Sequence, residues 1–511
     1  MLLIGLDAAE PRLIERWMAD GSLPNLRRLR ESGSYGRLAS TADWISASPW
    51  PTFYTGTSPG DHGYYRYLAW RADEMRTVRP SPDWLPLTPF WRRFGADGPR
   101  AVAVDVPLTY APEPFNGVEL CGWASHDRMT GPCSLPGEVL EWVDREFGSS
   151  PRTEEEYGLL PLRGLLRERD AQCRLTDLLS QVAERLVRRE TWDLFVVAFG
   201  ATHRGGHKLW DETGVVGRLD PRGREEMGDA LRQVYITCDR AVGWLLEAAG
   251  GGVTTLVFSL HGMGPNTSRS HLLPQMLDRI LADGAPARSA TRPRSITARF
   301  RDAVPPGWRT ALKRRLPLPI QDRLSVHRLV SEVDWAATPA FCLPGDLQGY
   351  IRLNRAGRET KGILTAEAAA ALCTRVAEGL RTFREADGQD PVVTDVTRSD
   401  SLYPQGRRTH LLPDLLVRWS ERPVAGERAI VSSRLDGGVI PGLGSAPGGR
   451  SGNHRPEGFL IVAGPGVTAA GRLDGHILDL APTVHALLGV DVPAEMRGRS
   501  LLSAELTPNP M

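Results

Sequence analysis

Three short hydrophobic segments of this 511-residue chain each lead directly to a side chain that can bind a metal ion. Apolar runs of this length, rich in β-branched residues, are typical of buried parallel strands. In open α/β sheets, ligands bind in the crevice at the carboxyl ends of such strands. The segments and the residues that follow them are 2–6 with Asp7, 194–199 with His203 and His207, and 255–260 with His261.

Helical patterns alternate with these segments. We predict helices over 13–18, 23–30, 175–188 and 227–249, and a further short strand over 101–104. This alternation indicates an α/β fold with a mostly parallel, doubly wound central sheet flanked by helices. Because large α/β enzymes can fill this length around one sheet, we predict one catalytic domain over 1–511.

The segment 286–330 differs in composition from its surroundings. Nine basic residues stand between positions 286 and 319 against a single acidic residue, Asp302. We interpret the segment as an inserted cap or surface excursion. It is either a solvated, flexible loop or a lid that attracts an anionic substrate.

Bulk properties exclude several classes of partner. The formal net charge of +1 gives no general attraction to nucleic acid or to an anionic membrane. No apolar stretch approaches the roughly 18 residues that span a bilayer, and no targeting signal is visible. The six cysteines are scattered without a CxxC pair, so neither a thiolate zinc site nor a disulfide framework is indicated. We therefore expect a cytoplasmic protein with reduced thiols.

His203 and His207 are four residues apart, which places them on one face of a helix. Such spacings also arise by accident on surface helices, but this pair follows a predicted buried strand. His454 lies in a glycine-flanked turn before the apolar run 459–462. A third imidazole from this turn would complete a three-histidine site with one open position, as in catalytic zinc sites. Imidazole suits zinc better than magnesium or calcium.

The other candidate cluster consists of Asp7, His261 and a serine hydroxyl group. Ser48 has the character of a helix N-cap, since Pro49 is favoured at the first helical position. Ser46 then remains in the turn before the helix. The amide groups of a helix start suit a phosphate or sulfate anion, and a metal-bound serine can attack phosphorus or sulfur.

Eight segments, in order along nearly the whole chain, carry a family resemblance. The chain resembles the alkaline phosphatase superfamily, in particular its type I phosphodiesterase/nucleotide pyrophosphatase-like branch, whose fold has inserted cap segments. The segments are LLIGLDAAEPRLIERWMADGSLPNLRRLRESG, SPWPTFYTGTSPGDHGYY, VPLTYAPEPFNGVELCGWASHD, WDLFVVAFGATHRGGHKLW, VFSLHGMGPN, GYIRLNRAGRETKGIL, GNHRPEGFLIVAGPG and LDLAPTVHALLGVDVPAEMRGRSLL.

The resemblance implies two metal positions that flank a serine or threonine nucleophile, which falls on Ser46. Asp7 and His261 would hold the metal ion that also touches Ser46. The other ion would be held by His203, His207 and His454. In bimetallic sites of this kind the ions lie roughly 4 Å apart and stabilise the attacking and leaving oxygens. We expect zinc, with manganese or iron as alternatives.

Two departures from the family pattern concern these metal positions. His203 and Leu260 stand where the family usually has aspartate, so each position lacks one carboxylate. Three outcomes remain open: His126 or Asp127 fills the gap, a single ion is tightly bound, or catalysis is lost.

We therefore expect a metal-dependent hydrolase of phosphate or sulfate esters. Its most favoured form is a phosphodiesterase that acts on a small metabolite through a covalent Ser46 intermediate. The same intermediate would also serve a phospho- or sulfotransferase, and a non-catalytic anion-binding homologue is the alternative of a different class. The expected partner is a small-molecule ester rather than a nucleic acid polymer or a membrane.

Overall fold

The structure is a computed structural model, and it describes residues 1–125, 129–151, 158–283 and 333–502, except 389, 437, 466, 468 and 470. The predicted excursion over 286–330 and the candidate ligands His126 and Asp127 lie outside the described residues. Within the described ranges, no helix is long and apolar enough to cross a lipid bilayer.

The strands of the described residues are β1 (Leu2–Leu6), β2 (Ser34–Ala39), β3 (Ala69–Arg71), β4 (Arg76–Val78), β5 (Ala101–Val104), β6 (Gly117–Cys121), β7 (Cys133–Leu135), β8 (Leu194–Phe199), β9 (Thr255–Ser259), β10 (Gly262–Pro265), β11 (Ala340–Leu343), β12 (Gly349–Leu353), β13 (Phe383–Glu385), β14 (Val393–Arg398), β15 (Leu415–Trp419), β16 (Ala429–Ser432), β17 (Ile440–Pro441), β18 (Gly452–Arg455), β19 (Glu457–Ala463), β20 (Gly471–Arg472) and β21 (Gly475–His476). The α-helices are α1 (Pro11–Ala19), α2 (Pro24–Ser32), α3 (Pro49–Thr55), α4 (Pro59–His62), α5 (Glu138–Phe147), α6 (Leu162–Arg189), α7 (Ala201–Lys208), α8 (Pro221–Ala249), α9 (Leu273–Ala282), α10 (Ala366–Leu380), α11 (Ser399–Leu402) and α12 (Leu480–Leu488).

A ten-stranded sheet forms the centre of the molecule, with strand order β20-β2-β19-β9-β1-β8-β5-β6-β7 and β21 beside β2. β1 pairs in parallel with both β8 and β9, and Leu6 lies opposite Phe199. β19 is antiparallel to its neighbours β9 and β2. The carboxyl ends of β1, β8 and β9 therefore meet at one edge, and the predicted mostly parallel α/β fold is confirmed.

Helices cover both faces of this sheet. Alternate residues of β1 point to opposite sides, as strand geometry requires. Ile4 belongs to the hydrophobic cluster under α1, α2, α6 and α8, whereas Leu3 belongs to the cluster under α3 and α12. Helices α6 and α8 extend well before their predicted starts at 175 and 227. At α8, Asp220 accepts a hydrogen bond from the Gly223 amide at 2.6 Å and caps the helix. This cap precedes the apolar repeat from which the start at 227 was predicted.

A second, four-stranded antiparallel sheet was not predicted from the sequence. Its strand order is β11-β12-β15-β14, and α9 and α10 pack on it around a separate hydrophobic cluster. A further cluster joins this sheet to the turn before α3, where Ile45 and Tyr65 pack with Tyr350 and Leu416. The second sheet is thus in contact with the segment that carries Ser46.

Candidate active site

Helix α7 begins directly after β8 and carries two of the candidate ligands. Gly200 occupies the N-cap position, and His203 and His207 follow on consecutive turns. Both side chains are buried. Their Nε2 atoms lie 3.0 Å apart, so the two rings meet at one point.

Strand β18 delivers the third histidine to the same point. β18 pairs with β10 in antiparallel register, with Met263 opposite His454. The Nε2 atoms of His454 and His203 lie 2.9 Å apart. One ring nitrogen from each of His203, His207 and His454 lies within 4.8 Å of the others, which makes this trio a candidate metal centre.

The surroundings hold two of these imidazoles, those of His207 and His454, in the neutral form that binds metal ions. Burial lowers the pKa of His207 and of His454 well below the ordinary histidine value, and the neighbouring histidines lower it further. His207 Nδ1 donates a hydrogen bond to the Gly452 carbonyl at 3.0 Å. That bond assigns the proton to Nδ1 and leaves the Nε2 lone pair directed at the cluster.

Asp7 lies behind His203 rather than inside the trio. Its Oδ2 is 3.0 Å from His203 Nδ1. Its Oδ1 accepts a hydrogen bond from Trp50 Nε1 at 2.8 Å. The Thr202 hydroxyl donates to the Asp7 carbonyl at 2.6 Å, which ties the end of β1 to the start of α7. Both carboxylate oxygens of Asp7 therefore have protein contacts.

His261 stands beside the trio, with its ring centroid 4.6 Å from that of His454. Neither of its ring nitrogens has a hydrogen-bond partner among the described residues. Burial lowers the pKa of His261 to about 4, so the ring is neutral. The preceding Leu260 is buried in the hydrophobic cluster that also contains Phe258. Its apolar side chain offers no ligand at the position where the family usually has aspartate.

Ser46 is buried in the turn before α3. Its amide donates to Gln348 Oε1 at 3.2 Å. Burial raises the pKa of Tyr350, and a hydrogen bond with Ser46 opposes that shift. Helix α3 begins at Pro49 as predicted, but the Ser48 side chain makes no capping bond. The Ser48 hydroxyl donates instead to the Ile45 carbonyl at 2.7 Å.

Sequence reasoning missed the contribution of residues 346–350. Gln348 and Tyr350 both contact Ser46, and Asp346 forms an ion pair with Arg450 at 2.9 Å. Burial alone would raise the pKa of Asp346, but Arg450 and Arg66 hold it below its ordinary value. One signal was available, because 349–364 is among the segments that carry the family resemblance. However, the amide of Gln348 and the phenol of Tyr350 are not common metal ligands, so a search of the sequence for metal-binding residue types passes over them.

Comparison with known proteins agrees with this architecture. The sequence model of the type I phosphodiesterase/nucleotide pyrophosphatase family matches residues 1–422. The fold is similar to phosphonoacetate hydrolase from Sinorhizobium meliloti 1021 in complex with phosphonoacetate, with 14% identity, coverage of 94% of this chain and 93% of that chain, and a TM-score of 0.50. Human ectonucleotide pyrophosphatase/phosphodiesterase 5 aligns with 11% identity over 98% of this chain and 96% of that chain, with a TM-score of 0.49. No curated protein matches the sequence.

The similarity to phosphonoacetate hydrolase concerns the fold alone, whereas the family match covers most of the chain. It confirms the resemblance inferred from the eight segments. The chain belongs to the type I phosphodiesterase/nucleotide pyrophosphatase family, a family of phosphoester hydrolases.

Proposed function

We propose that this protein is a metal-dependent phosphodiesterase that cleaves a small-molecule phosphate diester through a covalent intermediate on Ser46. One observation carries the proposal. Three buried imidazoles converge at the carboxyl edge of the central sheet, in a chain of this hydrolase family.

The residues present fit a divalent metal ion. His203, His207 and His454 supply nitrogen ligands, which zinc accepts readily. Both ring nitrogens of His261 are buried without a hydrogen-bond partner among the described residues, so they are available to a ligand. The resemblance assigns Asp7, Ser46 and His261 to a second set of ligands, which is the poorer of the two. A bound ion would stabilise negative charge on the phosphoryl oxygens.

Ser46 is the proposed nucleophile. Its oxygen attacks phosphorus in line, the bond from phosphorus to the first alcohol breaks, and the serine proton ends on that alcohol. Water then cleaves the phosphoserine and releases the phosphate monoester. Gln348 and Tyr350 hold the serine turn in place through their hydrogen bonds to Ser46.

Replacing the nucleophile tests this assignment. We expect Ser46→Ala to lower kcat for bis(p-nitrophenyl) phosphate by at least about 10³-fold while leaving metal content unchanged. Ser48→Ala is the matched control, because its hydroxyl contacts Ile45 and Thr41 rather than the site. It should retain turnover. An active Ser46→Ala protein would overturn the assignment.

A substrate panel tests the ester class. Phosphate diesters, phosphate monoesters and sulfate esters are compared with zinc, manganese or iron added to the metal-free protein. We expect the highest kcat/KM for a phosphate diester with zinc. A clear preference for sulfate esters, or turnover that is independent of metal, would contradict the proposal.

A further inference from the structure

We propose that the protein binds one metal ion tightly, in the trio of His203, His207 and His454, and that Asp7 orients His203 instead of holding a second ion. This inference rests on the proposed function and deepens it, since the resemblance implies two metal positions. It follows from three features of the site. The histidine trio supplies three nitrogen ligands, the Asp7 carboxylate contacts His203, and the second set of ligands lacks a carboxylate at position 260.

The trio is already arranged as a ligand set. A tetrahedral ion with Zn–N distances of about 2.0–2.1 Å places two ligand nitrogens about 3.3 Å apart. The Nε2 atom of His203 lies 2.9 Å from that of His454 and 3.0 Å from that of His207. Only a small outward shift of the rings is needed. Within the part of the chain that the structure describes, this trio is the one group of three or more metal-binding side chains.

The Asp7 carboxylate contacts His203, a proposed ligand of the first ion. Its Oδ2 lies against His203 Nδ1, opposite the Nε2 atom that faces the trio. Its Oδ1 is held by the Trp50 indole. A carboxylate behind a metal-binding histidine fixes the ring and raises its basicity. His203, which stands where the family usually has aspartate, therefore acquires a carboxylate partner from the other set.

Among the described residues, the second set has no carboxylate comparable to Asp7. Leu260 is buried in an apolar cluster, and the other donors that the resemblance assigns to this set are the Ser46 hydroxyl and the His261 imidazole. Three acids near this edge have other partners: Glu10 accepts from the Met263 amide, Asp105 accepts from the Ala124 amide, and the partly exposed Asp346 pairs with Arg450. Two neutral donors bind a divalent ion weakly. We assign His261 to the substrate side of the site, because both of its buried ring nitrogens lack a hydrogen-bond partner among the described residues.

Metal stoichiometry tests the inference without an activity assay. Metal-free protein is titrated with Co²⁺, and binding is followed by visible absorption and by elemental analysis after gel filtration. We expect one equivalent for the wild type, none for His207→Ala, and one for His261→Ala. His454→Asn provides a second variant of the trio, and thermal unfolding of each metal-free protein checks that it is folded. Two equivalents in the wild type, or loss of an equivalent in His261→Ala, would overturn the inference.

A further variant addresses the Asp7 carboxylate. Asp7→Asn should keep one equivalent but weaken Co²⁺ binding by about 10- to 100-fold and shift the Co²⁺ absorption bands. Unchanged Co²⁺ affinity and absorption bands in folded Asp7→Asn protein would contradict the orienting role of Asp7.

Failure of this inference is distinct from failure of the proposed function. Two tightly bound ions in the wild type would indicate that residues outside the described ranges, such as His126 or Asp127, complete the second set. A phosphodiesterase would then remain the conclusion. If the Ser46→Ala protein were active, the assignment of Ser46 as the nucleophile would be wrong. The measured number of bound metal ions would still stand.

Discussion

At the scale of single residues, the hydrogen bond from Trp50 to Asp7 connects α3, the helix that follows the Ser46 turn, to the histidine trio. Trp50 belongs to α3, and its indole donates to the carboxylate that contacts His203. Trp50→Phe removes this donor and leaves a buried carboxylate oxygen without it. We expect Co²⁺ affinity to fall several-fold, up to about tenfold, because the effect reaches the ion through two side chains. Titration of the metal-free variant measures it.

Trp91→Phe is the matched control for this change. Trp91 is also buried, and its indole donates to the Glu119 carboxylate at 3.4 Å, away from the trio. Both variants lose a buried indole donor and should lose about 1–3 kcal/mol of stability. Only Trp50→Phe should weaken metal binding. Equal metal affinities in the two variants would show that Trp50 merely fills space.

Position along a strand determines which of the predicted site residues lie close together. The ring nitrogens of His203, His207 and His454 meet at one point, and their role as a ligand set stays a prediction. Asp7 was predicted as a ligand of a second ion, and its carboxylate contacts His203 Nδ1. A sequence pattern indicates that a carboxylate reaches the edge of a sheet, but the direction of its two oxygens depends on packing against Trp50.

At the scale of elements, the site depends on the close approach of β18 to α7. A Cβ atom on Gly452 would lie 2.1 Å from the Gly206 carbonyl oxygen, well inside contact distance. The Gly452 carbonyl also accepts the hydrogen bond from His207. Gly452→Ala should therefore push β18 from α7 and move His454 away from the trio. We expect a loss of about 1–3 kcal/mol in the free energy of unfolding and at least about tenfold weaker Co²⁺ binding.

Gly228→Ala provides the comparison for this substitution. Gly228 lies in α8, and a Cβ atom there would meet nothing within 4 Å. Alanine should stabilise the helix by about 0.5–1 kcal/mol and leave metal binding unchanged. Chemical denaturation and Co²⁺ titration measure both quantities. Unchanged metal binding in Gly452→Ala would show that the contact between α7 and β18 is not needed to position His454.

Elements with a strong local signal were predicted well. β1, β5 and β8 were found at their observed bounds, because parallel strands buried on both faces form continuous apolar runs. The second sheet escaped prediction. Its strands β12 and β15 are short and pair across more than 60 residues of intervening chain, so no local turn signal connects them. Contacts of this kind become visible only in the folded molecule.

At the scale of the whole molecule, the two sheets meet at the proposed nucleophile. Gln348, just before β12 of the second sheet, reaches across to the turn that holds Ser46. Its side-chain amide donates to the Ala42 carbonyl at 2.7 Å and accepts from the Ser46 amide at 3.2 Å. This single buried side chain therefore couples the position of the serine to the second sheet.

Gln348→Ala should disturb both the stability of the protein and the geometry of the serine. The Ser46 amide and the Ala42 carbonyl lose their partner in a buried environment, which costs about 1–3 kcal/mol.

Asn354→Ala is the matched control. The buried Asn354 amide also bridges two backbone carbonyls near the second sheet, at 2.9 and 3.1 Å, but its hydrogen bonds do not reach Ser46. We expect similar losses of stability, measured by chemical denaturation. Only Gln348→Ala should lower kcat for a phosphate diester, by about tenfold or more, since small displacements of a reacting group are costly. If both variants retain wild-type kcat at a temperature where they are folded, the second sheet supports the turn without positioning the nucleophile.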